Sequence, residues 1–144
     1  MTPFPLASTF VVLDGALAAT PVPVTPALYG ELDARFGGFA GCLLVSEYAF
    51  TADWPTWERH PAGDELLVLL AGAAELRLWR DGREEAVPLA TPGTAVAIPR
   101  DTWHTAKVAG SCRILFITPG EGTENRSEPA LGPALGPAPG PGPA

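Results

Sequence analysis

The sequence predicts an all-β protein, built as an antiparallel sandwich or a small barrel. Short runs that are β-branched or rich in Leu recur along the chain, and Gly, Pro and Asp separate them. Parallel α/β architecture is excluded, because no crossover helices lie between the runs. Regular spacing of short strands is typical of sandwiches and barrels. The predicted strands are 42–50, 65–72, 74–80, 84–90, 94–100 and 112–118.

Two of these runs show how the strands face the core. In 74–80 the residues Leu76 and Leu78 alternate with polar neighbours, which predicts one buried and one wet face. Asp81-Gly82 follows as a two-residue hairpin turn. The run 65–72 is apolar on both faces, so its outer face needs a cover from another sheet, the helix or a second subunit.

One amphipathic helix is predicted over 26–39. Thr25 serves as the N-cap, Pro26 occupies the first helical position, and a glycine pair ends the helix. The residues that share its apolar face are Leu28, Leu32 and Phe36.

The chain divides into three parts. We expect an N-terminal extension with the helix over 1–39, a barrel over 40–120, and a disordered tail rich in Pro, Gly and Ala over 121–144. The tail composition buries too little apolar surface to offset its ordering entropy.

Charge and composition exclude several partners. The net charge of -7, with only nine Lys and Arg among 144 residues, argues against nucleic acid and against anionic membranes. The N-terminus lacks the basic region of a secretory signal, so a cytoplasmic protein is expected. Cys42 and Cys112 are then expected as buried free thiols, although they could pair if their strands are neighbours.

The stretch WERHPAGDE, residues 57–65, places ligand-type side chains before the apolar run. Glu58 and His60 are two apart and share one face of a strand, and a bend at 61–63 lets Glu65 return to that side. Charged groups are rarely buried unless they are paired or bind a metal. The second of the two histidines in the chain is His104, which follows another strand. Two histidines with one or two carboxylates are a known site type for Fe(II) and related ions.

These segments resemble the two motifs of the cupins. The first motif reads His-x-His, three or four residues, Glu, six residues, Gly, and here His60, Glu65 and Gly72 match it. The second reads Gly, five residues, Pro, x, Gly, two residues, His. Gly93, Pro99 and His104 match this pattern in register.

The resemblance covers 58–104 with its motifs and about 40–118 with its flanking strands. The extension TPGEGTENR, residues 118–126, is also similar to a stretch of small bacterial cupins. Two residues depart from the motifs: Glu58 stands at the first histidine position, and Asp101 at a glycine position where it affects only a turn.

The resemblance implies a cupin-type jelly-roll barrel with a divalent metal (Fe, Mn, Ni or Zn). Carried over by position, the metal ligands are Glu58, His60, Glu65 and His104. Glu58 is a ligand, a catalytic general acid or base, or a solvent-facing charge, and a carboxylate in its place still ligates such ions. Asp64 is interpreted as a turn or cap residue.

The environment of the site gives further candidates. Trp57, Trp103 and Trp54 line a pocket mouth or else pack at the edge of the sandwich. Arg100 binds a substrate carboxylate or is an exposed strand-end residue.

Three functions follow from the resemblance. The first is an enzyme that uses the metal for oxygenation, isomerisation or proton transfer on a small organic molecule. The second is a non-catalytic sensor or binding module for a small ligand, and the third is a structural dimer with a degenerate site. A homodimer is expected in each case, because the run 65–72 is apolar on both faces.

Overall fold

The computed structural model describes residues 1–129 and the backbone of 134–137. Within these residues the chain forms two antiparallel six-stranded sheets, here called sheet A and sheet B. In spatial order, sheet A contains β2 (Ala19–Pro23), β1 (Thr9–Leu13), β3 (Leu43–Phe50), β10 (Cys112–Thr118), β5 (Glu65–Gly72) and β8 (Ala95–Ile98). Sheet B contains β12 (Ala134–Pro137), β11 (Glu124–Arg126), β4 (Trp57–Arg59), β9 (Trp103–Lys107), β6 (Ala74–Arg80) and β7 (Arg83–Leu89). The prediction of an all-β jelly roll is confirmed.

The two sheets face each other across one apolar core. Leu67 and Leu69 of β5 and Phe116 of β10 come from sheet A, and Leu76 and Leu78 of β6 come from sheet B. All five are buried, and their polar neighbours along β6 are half-buried. The alternation predicted for β6 is therefore confirmed. Asp81 and Gly82 both have positive φ (53° and 75°), as a two-residue hairpin turn requires.

A second core lies beside the first and involves the N-terminal region. Phe10 and Val12 of β1, Val22 of β2 and Leu28 and Leu32 of the helix are buried there. Strands β1 and β2 were missed in the sequence. β1 pairs with β3, so the expected N-terminal extension is built into sheet A.

The helix α1 (Leu28–Arg35) is shorter than the predicted 26–39. Its N-cap is Ala27 and no side chain caps it, so the prediction of Thr25 as the N-cap and Pro26 as the first helical residue is wrong. The helix ends before two glycines that both have positive φ, a conformation that stops helical hydrogen bonding.

The ordered chain continues past the expected boundary at 120. β11 pairs with β4, so 124–126 belong to sheet B and not to a tail. The pairing places Asn125 opposite Glu58 and covers what would otherwise be an open edge of β4. The remainder of the predicted tail, apart from 127–129 and β12, lies outside the described residues.

Cys42 and Cys112 are both free and buried, as expected. Within the described residues, no helix has the length and apolar character needed to cross a membrane.

Candidate metal centre

Four buried side chains meet between the two sheets, and they are the four that the sequence predicted. Glu58 comes from β4, His60 from the residue after it, Glu65 from the start of β5 and His104 from β9. Their exposed fractions are between 0% and 4%. One ligand atom from each residue lies within 4.8 Å of those of the other three. We call these four residues the Glu/His cluster.

Strand register explains why the cluster forms. β4 pairs with β9 so that Glu58 lies opposite His104, and β9 pairs with β6 so that His104 lies beside Leu78. Glu65 reaches the same point from sheet A. The backbone N–H of Asp101 donates to the His60 carbonyl at 3.1 Å, which ties the two motifs together. Asp101 has a φ of 60°, so it takes the left-handed turn expected of the residue that replaces the motif glycine.

Hydrogen bonds fix both imidazole rings. His60 Nδ1 lies 2.8 Å from Thr123 Oγ1, whose own hydroxyl donates to the Gly120 carbonyl, so Nδ1–H is the donor to Thr123. His104 Nδ1–H donates to the Thr102 carbonyl at 2.9 Å. Each ring therefore directs Nε2 into the cluster.

The carboxylate of Glu65 is held in a similar way. Thr118 Oγ1 donates to Glu65 Oε2 at 2.6 Å and leaves Oε1 facing the cluster. Thr118 is the last residue of β10, and Thr123 follows it. Both belong to the segment 118–126, whose sequence resembles a stretch of small bacterial cupins. No physical signal in the sequence indicates that either threonine supports a ligand.

The distances within the cluster are those of ligands around one ion. His60 Nε2 lies 3.5 Å from Glu58 Oε1 and 3.2 Å from Glu65 Oε2, and His104 Nε2 lies 3.4 Å from Glu58 Oε1 and 3.0 Å from Glu65 Oε1. Ligands at about 2.1 Å from an ion are about 3.0 Å apart at octahedral angles and about 3.4 Å apart at tetrahedral angles.

The cluster atoms also lack other partners. Glu58 Oε1, His60 Nε2, Glu65 Oε1 and His104 Nε2 are buried and have no hydrogen bond, although the contacts above are short enough for one. Buried polar groups are nearly always paired, and a buried carboxylate is costly without a counter-charge. The four residues thus fit a divalent cation.

Without an ion, the cluster is balanced by protons. Burial lowers the pKa of His60, but the Glu65 carboxylate, together with Glu58, outweighs burial and raises that pKa from 6.5 to about 10. The pKa of His104 is raised to about 9, because contacts with Glu58 and Glu65 likewise outweigh its burial. Burial raises the pKa of both carboxyls, but the imidazolium charges outweigh it and lower both values.

The other predicted site residues do not reach the cluster. Trp57 and Trp103 lie on the outer face of sheet B, and the Trp103 ring packs between the guanidinium groups of Arg59 and Arg126 at 5.0 and 5.3 Å. The alternation of β4 and β9 turns both tryptophans away from Glu58 and His104. Their pocket-lining role is therefore wrong, and the edge-packing alternative fits.

Two other predicted residues also lie at the surface. The Arg100 side chain is exposed, and its backbone N–H donates to Asp64 Oδ1 at 2.8 Å. Asp64 is thus a turn residue, as interpreted from the sequence, and no contact joins Arg100 to the cluster.

Trp54 is the tryptophan that lines the interior. It is buried, and its ring lies 6.3 Å from the His104 ring and 5.9 Å from that of Phe116.

The motif glycines have structural roles that match the fold. Gly72 has a φ of 71°, and a Cβ there would lie 2.0 Å from the Ser111 carbonyl oxygen, so no side chain fits. With two facing antiparallel sheets and four ligand-type side chains converged between them, the chain has a jelly-roll fold of the cupin type.

The sequence matches no protein-family model and no curated protein. Among solved structures, a cupin-2 domain protein from Shewanella frigidimarina is similar at 21% identity and a TM-score of 0.46, over 54% of this chain and 70% of that one.

Two enzymes are similar over about half of this chain. Hydroxypropylphosphonic acid epoxidase from S. wedmorenis matches at 19% identity and a TM-score of 0.47, over 55% of this chain. Hydroquinone 1,2-dioxygenase from Sphingomonas sp. TTNP3 matches at 14% identity and a TM-score of 0.46, over 53%. The match spans 44% of the epoxidase and 58% of the dioxygenase.

Proposed function

We propose that this protein binds one divalent metal ion through the Glu/His cluster and uses it to bind and transform a small organic molecule inside the barrel. The observation that carries the proposal is the set of four buried ligand atoms, one per residue, that lie within 4.8 Å of one another. Two imidazoles and two carboxylates suit Fe, Mn, Ni or Zn, and the oxygen donors favour Fe²⁺ and Mn²⁺ among them.

The chemistry follows from the donor set. When bound, such an ion supplies Lewis-acid chemistry, and a redox-active one supplies chemistry with O₂, which covers isomerases and oxygenases. The residues of the chain contribute orientation and exclusion of water. Thr123, Thr102 and Thr118 hold three of the ligands, and the buried interior excludes bulk solvent.

We propose that Glu58 acts as a metal ligand and not as a free general base. Its Oε1 lies about as close to both Nε2 atoms as the oxygens of Glu65 do. A base that acts on substrate would need an oxygen directed away from the ligand atoms.

Metal analysis of purified and reconstituted protein tests the proposal. We expect about one ion per chain in the wild type, and loss of most of it in His60→Ala, His104→Ala and Glu65→Gln, because each variant removes a ligand. Asp64→Asn is the matched control: it alters the adjacent carboxylate, which faces Arg100, and should keep the ion.

Two results would contradict the proposal. One is wild-type protein that takes up no Fe, Mn, Ni or Zn under anaerobic conditions, and the other is unchanged metal content in the folded ligand variants. O₂ uptake and product analysis with a panel of small molecules then separate an enzyme from a binding module.

A further inference from the structure

Beside the Glu/His cluster, the barrel interior carries polar groups that the metal does not use. We propose that Ser46, Tyr48 and Tyr29 form a subsite for the organic ligand, and that the subsite binds a hydroxyl or carbonyl oxygen of a flat molecule that is uncharged away from the metal. This inference rests on the proposed function and names the class of its substrate.

Ser46 supplies the first observation. It lies on β3 with 0% exposure, and its Oγ has no hydrogen-bond partner. Its register partner on β10 is Phe116, and both side chains belong to the inner face of sheet A. A buried hydroxyl without a partner lowers the stability of the fold. A ligand oxygen at this position would remove that loss of stability.

The two tyrosines supply the second observation. Tyr48 follows Ser46 by two residues and so shares its face of β3, and the Tyr48 hydroxyl is hydrogen-bonded to that of Tyr29 from α1. Two phenols that share one hydrogen bond still have one hydroxyl proton to donate. The helix therefore brings a second phenol to the hydroxyl of Tyr48.

Ring contacts connect this pair to the metal centre. The Tyr48 ring lies 5.9 Å from the Phe116 ring, Phe116 lies 5.9 Å from Trp54, and Trp54 lies 6.3 Å from His104. The Nε1 of Trp54 is also buried without a partner. These rings form an aromatic wall from the Tyr29–Tyr48 pair to a metal ligand, which suits a flat ligand.

The environment of Tyr29 and Tyr48 raises the pKa of both phenols. Burial is the main cause that raises the pKa of Tyr29. The neighbouring Tyr48 raises this pKa further, and the Glu58 carboxylate makes the smallest contribution. Burial also raises the pKa of Tyr48, and Glu58 again contributes. Both phenols therefore stay neutral hydrogen-bond donors near pH 7, close enough to Glu58 to feel its charge.

The charge of the interior limits the ligand. In residues 1–129 the buried polar or charged residues include no Lys or Arg. A carboxylate or phosphate at the subsite would lose its hydration and meet no fixed cation, which is costly. A neutral oxygen meets three hydroxyl groups instead.

Two probes of Co²⁺-loaded protein test the subsite. Azide contacts only the metal, and its binding is measured by the visible absorption bands of Co²⁺. 4-Nitrocatechol extends from the metal to the aromatic wall, and its binding is measured by its own absorbance. We expect Tyr48→Phe, Tyr29→Phe and Ser46→Ala to weaken 4-nitrocatechol about tenfold each, the value of one hydrogen bond, and to leave azide unchanged. Thr94→Val removes a hydroxyl that bonds the Thr91 carbonyl, and serves as the control with no change.

The ligand class has its own comparison. 3,4-Dihydroxybenzoate has a carboxylate where 4-nitrocatechol has a nitro group of the same shape, and it should bind the wild type more weakly. Equal or tighter binding of 3,4-dihydroxybenzoate would overturn the uncharged class.

The outcomes separate the two proposals. Wild-type protein that binds azide but not 4-nitrocatechol, or subsite variants that bind 4-nitrocatechol as the wild type does, overturn the subsite alone. Protein that takes up no Co²⁺ overturns the metal centre and the subsite with it. If Tyr48→Phe does not fold, Ser46→Ala and Tyr29→Phe decide in the same way.

Discussion

At the residue scale, Glu58 changes the charge of the site. Two carboxylates and two neutral imidazoles around a divalent ion sum to zero, whereas three imidazoles and one carboxylate would leave one positive charge. The metal-free cluster is also neutral, since both histidines are protonated and both carboxyls are ionised at pH 7. Glu58 therefore lets one divalent ion exchange for two protons without a change in net charge, and a neutral site is less costly to bury.

This exchange gives the metal-free and metal-loaded proteins opposite dependence on pH. In the metal-free protein the histidines have raised pKa values of about 10 and about 9, so their stabilisation is complete below pH 6.5 and is lost as pH rises through those values. The carboxyls have lowered pKa values, so their stabilisation is lost as pH falls below about 4.5. Metal competes with the two protons, so its stabilising effect should grow between pH 6 and pH 9.

Melting temperatures measured with Mn²⁺ and with a chelator, from pH 6 to pH 9, check this prediction. The difference between loaded and metal-free protein should widen with rising pH. A difference that stays constant or narrows over this range would show that the histidines are not protonated in the metal-free cluster.

At the element scale, the sequence predicted strands where the apolar period was clear and missed them where packing overrides it. In β9 four successive residues are buried. On the outer face Arg59 and Arg126 contact the Trp103 ring, and Thr105 Oγ1 donates to the Thr56 carbonyl, so this strand shows no alternation of buried and exposed residues. β2 and β7 both contain proline and are edge strands of their sheets in the described part of the chain, which is where proline is tolerated.

The candidate metal centre was also predictable in part from the sequence. Its four ligands fall within two local motifs, so the resemblance of those motifs to the cupin motifs located them. Thr118, Thr123 and Tyr29 were not predictable, since each reaches its partner across a sheet or a helix contact distant in the chain. The positions of the residues that support and surround the metal-binding side chains depend on tertiary packing. The metal-binding residues themselves lie in local motifs.

Substitution of Gly72 tests how closely the end of β5 packs on the start of β10. It ends β5 with positive φ, and an added Cβ would meet the backbone of Ser111, which cannot move without shifting β10. We expect Gly72→Ala to lower the free energy of unfolding by about 2 kcal/mol or more, through strain and the clash together.

Urea denaturation of Gly72→Ala and Gly110→Ala makes the comparison. Gly110 lies in the loop before β10, its φ is outside the left-handed region, and an added Cβ meets nothing within 4 Å. Its variant should stay within about 0.5 kcal/mol of the wild type. Equal stability of the two variants would mean that β10 adjusts around the Gly72 position.

At the scale of the whole molecule, the outer faces of the two sheets differ. Ion pairs lie on both outer faces: on sheet B Arg77 contacts Glu75 and lies 3.2 Å from Glu84, and on sheet A Arg113 lies 2.8 Å from Glu47. Sheet A carries an apolar row across five strands, in which each residue is the register partner of the next. The members of this row are Val11, Val45, Ile117, Leu66 and Ala97.

We propose that a second copy of the chain covers this apolar row. The row and its neighbours Leu115 and Val68 are register partners on one face, so together they form a continuous apolar surface, and such surfaces on soluble proteins mark interaction sites. Most of these side chains are half-buried in the single chain, which leaves apolar area for a partner to remove from water. The Glu/His cluster faces the opposite side of sheet A, so dimerisation would leave the metal centre intact.

Sedimentation of the wild type at micromolar concentration should therefore give twice the 15.0 kDa of one chain. Val68→Glu places a charge in the middle of the covered surface and should yield monomers that still bind metal, because a charge buried in an apolar interface has no partner. Ala86→Glu places the same charge beside Arg77 on the outer face of sheet B and should remain dimeric. A wild type that sediments as a monomer, or a Val68→Glu variant that stays dimeric, would mean that the apolar face of sheet A is not the surface through which two copies of the chain associate.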